Sequence, residues 1–155
     1  MFFTTSGSTL EIGTARNDWI ARLASAADFA SEVWTPVAGV NSLGRIAGEW
    51  GTEDFIAGNP DNPDDPRIPT SIKTARPLLT MQINAAVLGG DPGQSLMIAA
   101  ESTVDPFAFR LILPSGQTRS FIALVVAADH IFDEANAVVC WSFSLKPQSN
   151  IHRGE

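Results

Sequence analysis

The chain holds no tyrosine, one cysteine, two histidines and only ten lysines and arginines in 155 residues. Each scarcity removes a class of reading. A single cysteine, Cys140, forbids an internal disulfide, so the fold does not rely on an oxidising compartment. Zinc sites take three or four His and Cys ligands, and too few are present. A Ser-His-Asp triad would have to use His130, because His152 falls in the last few residues, and no G-x-S-x-G turn exists to present a serine. Ser115-Gly116 reads as turn chemistry rather than as a nucleophile. Cys140, between Val139 and Trp141, reads as a buried structural thiol. No run approaches the ~20 apolar residues of a membrane span. MFFTTSGSTLEIG has neither a basic n-region nor a long apolar core, so a soluble chain made in a cytoplasm is expected.

Basic residues are outnumbered, and the formal net charge is −7. They are also scattered, with Arg45, Arg67, Lys73 and Arg76 the nearest thing to a group. Gripping nucleic acid needs Lys and Arg to displace counterions, so an ordinary DNA-binding role is disfavoured. Acidity suits the opposite relation to DNA, which is to repel it.

Three near-motifs fail on their details. GVNSLGRI, residues 39–46, has P-loop glycine spacing, but Arg45 and Ile46 stand where Lys and Ser/Thr belong. DNPDDP, residues 61–66, resembles the head of a calcium loop but lacks its turn glycine, and Ile72 occupies the bidentate position. Glu49, Glu53 and Asp54 are acids on an exposed strand end, and a solvated face explains them better than a glycosidase pair. No catalytic residue, metal ligand or cofactor is expected, and the chain does not read as an enzyme. Trp19, Trp34, Trp50 and Trp141 could supply sugar-stacking platforms, but a sugar site without tyrosine is unusual.

What is present is mostly strand. Residues 8–13 alternate and close on Gly13. Residues 17–31 are alanine-rich, with Trp19, Leu23, Ala27 and Ala30 at helical spacing. Residues 33–41 read as a strand interrupted by Pro36, placing it at an edge. Residues 43–55 read as a glycine-containing strand that bends. AGNPDNPDDPRIP, residues 57–69, holds four prolines and three aspartates and reads as a long loop. Residues 76–88 alternate. Asp91-Pro92 is an N-cap followed by proline at the first helical position, opening a helix over about 92–103. Residues 107–113 and 119–128 form a hairpin whose strands are apolar on both faces, so both faces must be covered. Residues 137–145 are a last strand, and QSNIHRGE reads as a tail. The sum is one domain, mainly β: an antiparallel sandwich or barrel with one flanking helix and a long acidic, proline-rich loop over about 52–76.

The order of these segments resembles the major tail tube protein of long-tailed, siphovirus-type bacteriophages. GSTLEIG is similar to that family's opening strand, and WTPVAGVNSLG to its strand and turn W-x-x-I-x-G-V-x-S-x-x-G. GDPGQSLMIAAESTVDPFAFRLILPSGQTRSFIALV supplies the helix, the strand, the P-x-G turn and the F-x-A-x-V return strand. FDEAN and AVVCWSFSL complete it. Residues 16–32 look like an insertion, and the end of the chain lacks the glycine that often closes the last strand.

The resemblance implies a structural virion protein that stacks as hexameric rings into a tail tube. Its partners would be further copies of itself, the tail-tip and tape-measure proteins, and a terminator. DNA would pass through an electronegative lumen without specific binding, and no membrane would be involved. The tube would assemble in the host cytoplasm and end in the virion. Within that picture, Glu53, Asp54, Asp61, Asp64, Asp65 and Arg67 are expected to reach a neighbouring subunit or ring. Arg45, Glu49, Thr80, Gln82 and Asn84 are lumen candidates. Residues 1–7 and 147–155 are expected to be interface arms. A related tube, from a contractile tail or a secretion system, or a tail terminator, is the alternative, followed by a carbohydrate-binding sandwich.

Overall fold

The computed structural model describes residues 6–20, 22–58, 61–64 and 67–154. β1 (Thr9–Ala15) opens the fold. A segment with one short helix, α1 (Ala26–Phe29), leads to β2 (Thr35–Val37) and β3 (Val40–Ser42). Then come β4 (Thr52–Ala57), β5 (Ile68–Lys73) and β6 (Met81–Ala86). α2 (Pro92–Glu101) is followed by β7 (Phe107–Ile112), β8 (Thr118–Ile131), β9 (Cys140–Pro147) and β10 (His152–Gly154). The fold is mainly β, with antiparallel pairing throughout and α2 flanking the sheet.

The main sheet runs β2-β1-β7-β8-β9-β6-β3, with β10 also paired to β8. Its two end strands, β2 and β3, are separated in sequence by Ala38 and Gly39 alone. The sheet must therefore curl until its edges meet, as a barrel does. One face supplies the core: Leu10, Ile12, Ile83, Phe109, Phe121, Phe143 and Leu145 are fully buried, with Met97 and Ala100 of α2 packed among them. The alternation read in residues 76–88 sets this face, since Met81, Ile83 and Ala85 point inward.

The N-terminus of α2 holds the seam shut. Asp91 caps it, its carboxylate accepting the Gln94 backbone N–H at 2.9 Å. Gln94 is buried, and its amide donates to the Ala38 carbonyl (2.8 Å) and the Ala86 carbonyl (2.7 Å). Its Oε1 accepts the Leu88 N–H. One side chain thus ties the β2–β3 turn to the end of β6.

The two-faced β7–β8 hairpin is covered twice. Its first face joins the main core. On its second face, Ala108 and Ile122 are buried beneath Ala24 and Phe29, with Trp19 and Trp34 alongside. The residues that looked like an insertion are therefore the lid of the second face. They do not form the extended helix their alanines suggested. Among its described residues only Ala26–Phe29 is helical, because Trp19, Ala24, Phe29 and Trp34 anchor the segment separately.

Glu32 ties this lid to β1. Its carboxylate accepts the Thr14 N–H and hydroxyl, both at 2.6 Å, and the Arg16 guanidinium at 2.9 Å. Burial pushes its pKa up, but the bonds from Thr14 and the Arg16 charge outweigh that, and the net direction is down. Asp28 is also depressed, by Arg22 and then by the Ser25 backbone N–H. A depressed carboxyl contributes stability that is complete above its unfolded pKa and is lost as pH falls through the folded value. The protein is therefore expected to lose stability below the ordinary glutamate range, near 4.5. Glu32→Gln should lower stability at neutral pH by on the order of 1 kcal/mol. It should also flatten part of the acid slope. Urea melts from pH 7 to pH 3 check this, and an unchanged slope in the variant overturns it.

Three sequence expectations need correcting. The span 52–76 is not one long loop: residues 52–57 and 68–73 are paired strands. Residues 43–55 are not one strand, because glycines at 44, 48 and 51 break it before β4. The tail expected at 147–155 folds back instead: β10 continues the β9 edge along β8, with His152 opposite Ser120 and Gly154 opposite Thr118. Gln148 N–H to the Ile122 carbonyl, at 2.7 Å, bridges the gap.

Candidate assembly surfaces

β4 and β5 stand apart from the barrel. They pair in register from Thr52–Lys73 to Ala57–Ile68 and scarcely pack on anything else. They continue the β3–β6 edge outward. Ala47 accepts from Leu79 N–H, Gly48 bridges Leu78, and Gly51 exchanges backbone bonds with Thr74 and Ala75. The result is one ribbon, seated in the barrel at one end and free at the other. At Gly44 (φ +64°) a Cβ would lie 2.2 Å from the Gln82 carbonyl oxygen, so only glycine lets the ribbon's limbs approach there.

The free end is amphipathic. Pleating puts Phe55, Ala57, Ile68, Thr70 and Ile72 on one face with Glu53. Phe55 is 48% exposed, Ile68 59% and Ile72 50%. The opposite face carries Asp54, Ser71 and Lys73, with the Ser71 hydroxyl donating to Asp54, and Ile56 near the end. An isolated two-stranded hairpin is marginal in water, and an apolar face left open on one calls for a cover. Of the residues expected to reach a neighbour, Glu53 and Asp54 lie on β4, Asp61, Asp64 and Arg67 lie in the exposed connection, and Asp65 lies outside the described residues.

The lumen candidates divide. Gln82 and Asn84 share the outward face of β6 with Ser142 and Ser144 of β9, directly opposite them. The Gln82 amide donates to Ser144 Oγ at 2.9 Å. This strip is polar and uncharged, flanked by Asp129 and Lys146 on the same pairs of strands. Thr80 precedes β6 on the ribbon. Arg45 and Glu49 lie on the ribbon's other limb and not on a regular strand; all three are exposed.

Sequence reasoning missed a third surface. Arg76, Arg119 and Arg153 meet at an open cleft of about 870 Å³, with Arg22 at its edge. Its apolar lining includes Trp50, Leu78 and Ile151, and no acidic residue lines it. Arg22 is paired with Asp28, but the other three arginines have no carboxylate partner among the described residues. They are far apart in sequence, and only the return of β10 along β8 sets Arg153 beside Arg119. No local signal could have grouped them.

The tryptophans are mostly occupied. Trp34 lies under Arg110 and beside Phe29, Trp19 lies under Arg22, and Trp141 is stacked between His130 and Phe143.

No protein-family model matches the chain, and no curated protein does. Among solved structures it is similar to a chain of the anti-feeding prophage baseplate, a six-fold symmetrised cryo-EM structure. The TM-score is 0.62 at 10% identity, over 99% of this chain and 97% of that one. It is also similar to a chain in the tail of the empty GTA particle, refined helically with C6 symmetry. There the TM-score is 0.51 at 11% identity, over 94% and 96% of the two chains. A crystal structure of Hcp protein matches at 0.44 and 9% identity, over 96% of each chain, too loosely to carry an argument. At these identities the likeness is one of fold. The shared fold runs nearly end to end in both chains.

Proposed function

We propose that this chain is a structural tail subunit that self-associates into six-membered rings, stacked as the tube of a long, siphovirus-type tail. The observation that carries the reading is the β4–β5 hairpin. It is an ordered element with an apolar face and no cover of its own, on a fold shared with chains of six-fold tail and baseplate assemblies. The hairpin, with Glu53, Asp54, Asp61, Asp64, Asp65 and Arg67, reaches a neighbouring subunit or ring. The uncharged strip of Gln82 and Asn84, with Thr80, Arg45 and Glu49 on the ribbon, faces the lumen. Such a wall offers DNA phosphates few cations to hold, so DNA slides through without specific binding. Tail-tip, tape-measure and terminator proteins are the other partners, the host cytoplasm is where assembly occurs, and the virion is where the product resides.

Negative-stain electron microscopy with sedimentation of concentrated protein tests this. Hollow tubes of uniform width are expected. Single rings that never stack would instead identify a terminator-like subunit. A monomer that stays monomeric at all concentrations, with or without a tail-tip complex added, overturns the reading.

A further inference from the structure

We infer that the arginine cleft is the receptor for the β4–β5 hairpin of a second copy of this chain. The inference rests on the self-assembly reading and names the two surfaces that would meet.

Complementarity is both electrostatic and apolar. Between residues 53 and 67 the sequence carries five acids (Glu53, Asp54, Asp61, Asp64 and Asp65) against one base, Arg67. In a chain of net charge −7, three arginines face one cleft, and among the described residues none of them has a carboxylate partner and no acid lines the cleft. Gathering like charges in this way costs Coulomb energy unless an anionic group enters. The lining beneath them, Trp50, Leu78 and Ile151, matches the open Phe55–Ile68–Ile72 face of the hairpin. At about 870 Å³ the cleft falls within the ~300–1,000 Å³ of ligand-sized sites, so it admits the end of a hairpin rather than a whole element.

The hairpin cannot serve its own cleft. It springs from the rim at Trp50, and six paired residues at ~3.3 Å each carry its end about 20 Å away. Donor and acceptor therefore sit on one protomer but belong to different contacts. That is a heterologous, head-to-tail interface, which closes into rings or propagates.

Two variants separate the halves. Asp64→Lys/Ile68→Glu disables the hairpin, and Arg76→Glu/Arg153→Glu disables the cleft; all four positions are exposed. By sedimentation at low salt, each variant should associate about tenfold more weakly than the parent, or less. Melting temperatures close to the parent's would show that both are folded. Mixed one to one, each variant supplies what the other lacks in a single contact, so the mixture should form dimers that do not extend. Cysteine pairs give a second readout that does not need a lasting complex. In a Cys140→Ser background, Asn62→Cys with Gln148→Cys should cross-link between chains through a flexible bis-maleimide, while either single variant should not.

If the parent assembles and the arginine variant assembles equally well, the cleft is not the receptor, and the assembly reading stands. If the parent does not assemble, with or without a tail-tip complex added, but the double-cysteine chain still cross-links, the contact exists and the tube reading fails. No cross-link above the single variants overturns the inference in either case.

Discussion

A chain in which residues 53–72 are replaced by an Asn-Gly turn is expected to fold as a monomer, to melt within about 5 °C of the parent, and to have lost self-association altogether. Thr52 and Lys73 are already a cross-strand pair, so a two-residue turn of that type can close them without disturbing the ribbon. The small thermal effect follows from where the hairpin sits. Phe55, Ile56, Ile68 and Ile72 are all about half exposed or more, and none belongs to either buried cluster. Removing them takes almost nothing from the core, and about 1 kcal/mol moves the melting temperature of a chain this size by roughly 2–4 °C.

The large effect is on assembly. Three apolar side chains at half exposure or more are tolerable in a protein that spends its life covered by a neighbour, and they are a liability in one that does not. Calorimetry and sedimentation of the shortened chain decide the matter together. A drop of more than about 10 °C would mean the hairpin supports the barrel after all. Undiminished association would remove the hairpin from the interface and leave the proposed function without its main support.

Most of the barrel was legible because its strands obey period two and its breaks are chemically loud. Met81, Ile83 and Ala85 alternate with Gln82 and Asn84, and both sets face where the pattern puts them. Asp91-Pro92 opens α2 as capping chemistry requires. The β7–β8 hairpin turns at Ser115-Gly116, with Gly116 at φ +90°. The hairpin at 52–73 was hidden by its own connection. Four prolines and three aspartates dominate residues 57–69, yet Ile68, Thr70 and Ile72 alternate from the last residues of that stretch onward, and that signal was available. β10 was hidden for another reason. Three residues pairing with a strand more than 30 positions earlier leave no local periodicity to read. The arginine cleft inherits that invisibility, because its members meet only when β10 is laid on β8. Lid segment 16–34 shows the limit of helical spacing as evidence. Its aromatic residues are spaced to reach separate points on a sheet, and four residues of helix suffice between them.

Gly93→Ala is expected to be strongly destabilising, lowering stability by about 3 kcal/mol and the melting temperature by roughly 10 °C. Propensity alone argues the other way, since alanine in a helix is favoured over glycine by about 1 kcal/mol. Contact decides the sign. A Cβ at residue 93 would lie 2.1 Å from the Pro36 carbonyl oxygen and 2.6 Å from the Val37 Cα, and both are backbone atoms that no rotamer change can move. The first turn of α2 must therefore lift from β2. Lifting it pulls Gln94 from the Ala38 and Ala86 carbonyls, at the seam where the two ends of the sheet are joined. Buried carbonyls stripped of their donor cost about 1–3 kcal/mol each where no water replaces it. Gly89→Ala is the control. Nothing lies within 4 Å of a Cβ there, and no left-handed φ is required, so its melting temperature should match the parent's within about 1 °C. Thermal melts of the two variants side by side test the seam. If both lose the same stability, the close approach of α2 to β2 is not what closes the barrel. If only Gly93→Ala does, a later melt of Gln94→Leu should fall between them, because it removes the bonds without forcing the helix away.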